Sequence, residues 1–157
     1  MSQVTSNTAG IAITSFIIAV IVSMTYYQYV YVPEANKRPF VPEEILNPAE
    51  IVNVRILKDS FVESSPKNFE PKSVRGILGV SNKVVWTNED TFGHTVTSDE
   101  PAYVDQISGK FDSLAQGSLI MPGETFEFTF TKVGTYRYHC EPHPWMEGTI
   151  EIVENFS

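Results

Sequence analysis

The chain has 157 residues, room for one domain and an appendage, and a formal net charge of −8. From Glu43 to Ser157, 18 acidic residues stand against 9 basic ones. That balance speaks against nucleic acid as a partner, because phosphate binding needs the opposite sign. The single cysteine, Cys140, excludes an intramolecular disulfide.

The first element in chain order is an apolar segment. No charged residue occurs from Met1 to Pro33. Residues 10–32 supply the roughly 20 apolar positions a spanning helix needs. Tyr26, Tyr27, Tyr29 and Tyr31 crowd one end, as in an interfacial aromatic belt. A cleaved leader would show a basic start and a small-x-small site. Here no Lys or Arg precedes the run, and tyrosines stand where the small residues belong. A buried core helix would show a polar face. Residues 1–32 therefore read as an uncleaved transmembrane anchor. Lys37 and Arg38 come directly after it, and taken literally the positive-inside rule would leave the downstream domain in the cytoplasm. Pro33, Pro39, Pro42 and Pro48 mark residues 33–50 as an extended, semi-rigid linker.

Residues 51–157 read as an all-β domain. Ile51 to Leu57 alternates Val52, Val54 and Ile56 with Asn53 and Arg55. Phe69 to Val80 gives one or two short strands, broken by Pro71, Gly76 and Gly79. Lys83 to Asn88 is a strand with Trp86 in the core, and His94 to Ser98 is another. Ser98 to Ser118 is the least regular stretch, a long loop or a loop with a short helix. Pro122-Gly123 marks a tight turn. Thr125 to Thr131 places Phe126, Phe128 and Phe130 on one face and Thr125, Glu127, Thr129 and Thr131 on the other. Thr135 to Cys140 and Gly148 to Val153 close the series, and many short strands between turn signals imply a sandwich or barrel.

The chemistry lies between those last two strands, in Tyr138-His139-Cys140-Glu141-Pro142-His143-Pro144-Trp145-Met146. Thiolate and thioether favour Cu(I), while imidazole serves both copper oxidation states. His94, in Thr91-Phe92-Gly93-His94-Thr95-Val96-Thr97, offers a second imidazole. His94, Cys140 and His143 in a plane, with Met146 as a weak axial ligand, make the type 1, or blue, copper arrangement. His139 adjoins Cys140 and points to the opposite face of a strand. A second copper centre there would need more histidines than the three present, so His139 reads as a structural or surface residue.

The stretches Lys83 to Thr97 and Met121 to Val153 resemble the cupredoxins, of the plastocyanin and amicyanin kind. The resemblance covers roughly the last two thirds of the chain, and the short Cys-x-x-His-x-x-Met loop is closest to amicyanin. It implies a Greek-key antiparallel β-sandwich carrying one type 1 copper, held by His94, Cys140, His143 and Met146. It also implies an extracytoplasmic domain, with His143 as the point where electrons enter and leave. Thr95 stands where many relatives carry Asn, and its hydroxyl or amide is expected to tie the two ligand loops together. Gly93 replaces a common Pro, which is expected to loosen the His94 loop or admit an approach to the copper. Trp145 is either packing or part of an apolar docking patch.

The function expected is a membrane-anchored carrier of single electrons between protein redox partners, with no small-molecule substrate. Its acidic surface is matched to a partner with a basic docking patch. A second reading is a small copper enzyme acting on nitrogen oxides or oxygen. It requires an open position on copper, which Met146 argues against. A third, copper storage or delivery, fits poorly with only four methionines, two of them Met1 and Met24.

Overall fold

The computed structural model describes residues 2–36, 40–117 and 119–155, with side chains from residue 9 onward. The chain divides into two compact units, Met1–Pro39 and Phe40–Ser157.

In the first unit, helix α1 (Ser2–Tyr26) runs into a π-helical segment, Tyr27–Tyr31, and then helix α2 (Val32–Ala35). The stretch Ala9–Ala35, 27 residues, is long and apolar enough to cross a membrane. Its apolar side chains point outward on every side, among them Ile11, Phe16, Ile17, Ile21 and Val22. A helix apolar all round has no face for water. Tyr27 and Tyr31 stack at 5.5 Å in the π-helical turn. The helical path passes beyond the expected end at residue 32, because Pro33 sits in the first turn of α2, where its missing N–H costs nothing. Lys37 and Arg38, on which the charge reading of orientation rests, lie outside the described residues.

Residues 40–50 fold with the second unit and are not extended throughout. Helix α3 (Glu43–Leu46) follows Pro42. The buried side chain of Asn82 donates to the Ile45 carbonyl at 2.8 Å, and Glu50 N–H donates to the Val80 carbonyl at 2.9 Å. Tertiary hydrogen bonds of this kind override the extended preference of a proline-rich segment.

The strands are β1 (Ile51–Ile56), β2 (Phe69–Glu70), β3 (Ser73–Ile77), β4 (Lys83–Asn88), β5 (Thr97–Ser98), β6 (Val104–Asp105), β7 (Gly109–Lys110), β8 (Thr125–Thr129), β9 (Gly134–Cys140) and β10 (His143–Val153). One sheet has the order β2-β1-β4-β8 and the other β3-β10-β9-β5. The sandwich is as expected, with two differences in pairing. β1 lies parallel to β4, and β3 parallel to β10. Between each of these pairs the chain crosses to the opposite sheet, so the neighbours are not joined by hairpins and need not run antiparallel.

The core forms where the inner faces meet. Val54, Ile56, Val84, Trp86, Val96, Phe111, Phe130 and Ile150 are fully buried. Trp86 meets Phe111 at 5.6 Å, Phe126 at 5.7 Å and Tyr138 at 5.5 Å. Such rings contribute both area and specific geometry to a core. Phe126, Phe128 and Phe130 share the inner side, as the alternation predicts, although Phe126 is only partly covered.

The segment 98–118 is more ordered than its sequence implies. It holds the β6–β7 hairpin and helix α4 (Ser113–Gln116). Asp112 caps α4, accepting from Leu114 N–H at 3.0 Å and Ala115 N–H at 3.4 Å.

Candidate metal centre

Cys140 ends β9 and His143 begins β10, and the two are register partners across the turn Glu141-Pro142. A hairpin therefore places the thiol and the imidazole side by side. The pairing slips in register between His143 and Glu147. Pro144 lies in this slip, where a residue without an N–H can be accommodated. The closing strand thus begins at His143, five residues before its expected start at Gly148.

His94 comes from the segment between β4 and β5, and β5 pairs with β9 beside Cys140. Its backbone exchanges hydrogen bonds with Ile120, at 3.1 and 2.9 Å. Gly93 beside it is not a gap. A Cβ there would stand 3.3 Å from Met121 Sδ and 3.5 Å from Leu119. Those side chains take the space, and the bridge to Ile120 holds the loop the glycine was expected to loosen.

The three donors meet. Cys140 Sγ lies 3.6 Å from His94 Nδ1 and 3.5 Å from His143 Nδ1, and the two imidazole nitrogens are 3.2 Å apart. A point about 2.0 Å from all three atoms satisfies these separations, close to metal bonds of about 2.0–2.3 Å to imidazole and thiolate. His94 and Cys140 are buried, while His143 is partly exposed. The donor set and its spacing therefore fit a metal ion. Met146 is fully buried, three residues beyond His143 on β10.

Burial pushes the Cys140 thiol up, against the opposing hydrogen bonds from Thr95. A bound cation is what favours the thiolate in such a place. Burial pushes the His143 imidazole down, and the neighbouring His94 adds to this. A depressed imidazole stays neutral and keeps a lone pair for a metal.

Thr95 joins the two ligand segments by both of its groups. Its N–H donates to Cys140 Sγ at 3.3 Å, and its hydroxyl accepts from Glu141 N–H at 2.8 Å. Trp145 packs inward: Nε1 donates to the Ser60 carbonyl at 3.1 Å, and the ring lies 5.3 Å from His143. His139 turns away from the cluster. Its Nδ1 is 2.7 Å from Asp99 Oδ1 and its Nε2 is 3.8 Å from Glu141.

One residue of the site escapes a reading of the sequence. His94 Nε2 lies 2.8 Å from Asp90 Oδ2, and both side chains are fully buried. Burial alone would raise the Asp90 carboxyl. The N–H of Thr91, the His94 ring and the N–H groups of Asp59 and Phe61 outweigh it and hold the group below the usual carboxylate range. The spacing Asp90-x-x-x-His94 is visible, but a single acidic residue four positions from a histidine carries little information.

A β-sandwich with one buried Cys and two converging His defines a cupredoxin. The comparisons agree. Residues 60–153 match the family described as copper binding proteins, plastocyanin/azurin family, and the chain belongs to that family. It is 26% identical to amicyanin from Paracoccus denitrificans over 74% of this chain and 75% of that protein. It is 38% identical to plastocyanin from Lactuca sativa over 48% of this chain and 75% of that protein. Among solved structures, a purple cupredoxin from Nitrosopumilus maritimus is similar with a TM-score of 0.52 and 25% identity, over 65% of this chain and 99% of that one.

Proposed function

We propose that this chain is a membrane-anchored type 1 copper protein that passes single electrons between protein partners. The observation that carries this reading is the triangle of Cys140 Sγ, His94 Nδ1 and His143 Nδ1, with sides of 3.6, 3.5 and 3.2 Å. His94, Cys140 and His143 are the equatorial ligands in this reading, and Met146 is the axial one. Copper, when bound, supplies a one-electron couple. The residues around it hold the donors in place and limit water. Because His143 alone of the three donors is partly exposed, it is the proposed point of electron exchange.

The apolar helix Ala9–Ala35 supports anchoring, with the copper domain on the extracytoplasmic side and a short spacer between. The excess of acidic residues supports a partner with a basic docking patch. Two spectra of the detergent-solubilised, copper-loaded chain test the site. An intense thiolate-to-copper band and a type 1 paramagnetic resonance signal are expected, both unchanged by azide or nitric oxide. Absence of the band overturns the assignment. A change on adding azide or nitric oxide favours the enzyme reading. Protease digestion of sealed right-side-out vesicles tests the orientation: cleavage of the domain in intact vesicles supports it, and cleavage only after the vesicles are opened overturns it.

A further inference from the structure

We infer that Asp90 is a positioning residue for the metal centre, fixing His94 through Nε2 and lowering the reduction potential of the site. This inference rests on the copper reading of the cluster.

His94 has two ring nitrogens with different surroundings. Nδ1 faces Cys140 Sγ at 3.6 Å and His143 Nδ1 at 3.2 Å. Nε2 faces Asp90 Oδ2 at 2.8 Å. An ionised carboxylate can only accept, so the hydrogen sits on Nε2 and the Nδ1 lone pair is left for the metal. The partner of the second ring nitrogen sets tautomer, orientation and ligand basicity in this way.

Asp90 is itself held rigidly. Oδ1 accepts from Thr91 N–H at 2.7 Å and Asp59 N–H at 3.0 Å, and Oδ2 also accepts from Phe61 N–H at 3.3 Å. The carboxylate therefore cannot swing away without breaking several bonds. Asp59 and Phe61 flank Ser60, whose carbonyl accepts from Trp145 Nε1 at 3.1 Å. One turn of the β1–β2 loop thus braces both ligand segments. It braces the upstream segment through Asp90 and the downstream segment through Trp145.

The charge acts alongside the geometry. A buried negative charge next to one ligand ring favours the more positive oxidation state of a bound ion, and burial strengthens the effect. It shifts the balance toward Cu(II) and so lowers the potential. The hydrogen bond is confined to one ligand: among the described residues no carboxylate hydrogen-bonds to His143, which meets Cys140, His94 and Trp145, although the Asp90 charge also reaches that ring through space.

Removal of the charge with retention of shape tests this. Asp90→Asn in the detergent-solubilised full chain should keep the thiolate-to-copper band. Its midpoint potential should rise by about a tenfold change in the Cu(II)/Cu(I) balance, ~59 mV for one electron. Asp90→Glu should recover part of that shift. A purely structural pin would lower the melting temperature and leave the potential in place. Nitrogen-15 imidazole spectra of the Zn(II)-loaded wild-type chain give a readout that needs no variant to fold. They should show a slowly exchanging, strongly deshielded proton on His94 Nε2. If Asp90→Asn keeps the band with an unchanged or lower potential, or if the Nε2 proton is absent, the inference is overturned. If the wild-type chain itself shows no thiolate-to-copper band, the copper reading fails and this inference falls with it.

Discussion

Asp105→Asn should destabilise the domain by about 2–4 kcal/mol at neutral pH, and the penalty should shrink in acid. Asp105 is buried on β6 in the long segment that precedes β8. Its Oδ1 accepts from Ile107 N–H at 2.9 Å and Ser108 N–H at 3.1 Å. Its Oδ2 accepts from the Tyr103 hydroxyl at 2.7 Å, Thr131 N–H at 3.0 Å and the Thr131 hydroxyl at 2.8 Å. Asn keeps only one of these oxygens. With the amide nitrogen in place of Oδ1, two backbone N–H groups face a donor. With it in place of Oδ2, only Thr131 N–H does, since the two hydroxyls can turn to accept. The second arrangement is cheaper. It leaves one orphaned backbone donor, about 1–3 kcal/mol, and weakens the remaining bonds by removing their charge. For a domain of this size the total lowers the melting temperature by roughly 8–16 °C.

The pH dependence comes from the direction of the shift. Burial raises the Asp105 carboxyl, but the N–H groups of Ile107 and Thr131, the Tyr103 hydroxyl and Ser108 N–H together hold it below the usual carboxylate range. The folded state therefore holds the anion more strongly than the unfolded chain does. Its stabilisation is present above the unfolded value, about 3.9, and is lost as pH falls through the depressed folded value. Urea denaturation of wild type and variant in detergent, at pH values from 7 down to 3, measures this. The gap should be widest at pH 7 and narrow below about pH 4. A penalty under about 1 kcal/mol at pH 7, or a gap that stays constant through pH 3, contradicts this account of the carboxylate.

Three further outcomes are expected. Thr95→Val keeps the branched shape but leaves Glu141 N–H without its 2.8 Å acceptor; because Glu141 is exposed, water replaces part of the loss and the cost should be about 1 kcal/mol. Thermal melts check it, and an unchanged melting temperature would show that the tie is idle. Gly148→Ala puts a Cβ into the ring and hydroxyl of Tyr138. That ring is enclosed by Phe69 at 4.9 Å and Trp86 at 5.5 Å, so the cost should be about 3 kcal/mol, the upper end of the usual range for overpacking. An unfolding free energy from urea titration within about 1 kcal/mol of wild type would mean that the ring can move. Replacing Pro142 and Pro144 together by Ala should slow electron self-exchange of the copper-loaded chain, since both stiffen the segment from Cys140 to Met146. Line broadening in mixtures of the two oxidation states measures the rate, and an unchanged rate counts against the idea.

The parts legible in the sequence are those where one residue type forces one physical outcome. The alternation in β1 and β8 has period two, so the strands and their inner faces could be read directly. Cys140 and His143 stand together because a turn of two residues allows little else. Other features depended on partners distant in the chain. Helix α3 follows a proline-rich segment and is fastened by Asn82, 37 residues away. The parallel pairings of β1 with β4 and β3 with β10 leave no trace in periodicity, since each partner within the sheet is reached only after the chain has crossed to the opposite sheet and back. Between His94 and Ser98 only Thr97 and Ser98 form a strand, because His94 bonds instead to Ile120 and Val96 N–H to the Ser113 hydroxyl at 3.1 Å. The order of segment 98–118 rests largely on Asp105 and Asp112, whose carboxylates could equally have been solvent-facing.

The two histidines of the cluster differ in a way that divides the work proposed for them. His94 is wholly enclosed, its backbone is bridged to Ile120, and its second nitrogen is held by a buried carboxylate. His143 sits at the mouth of the hairpin, partly exposed, with Trp145 beside it. A change at Asp90 therefore reaches the metal through a ligand that no partner protein can touch. In the proposed carrier, a change near His143 alters the route by which a partner couples to the site. If the carrier reading holds, the two functions should separate under mutation. Substitutions around Asp90 should move the potential and leave partner affinity alone. Substitutions at the exposed neighbours of His143, such as Pro142 and Pro144, should alter partner kinetics at constant potential. Measurement of both quantities on both kinds of variant gives a pattern that a site with one undivided role could not produce.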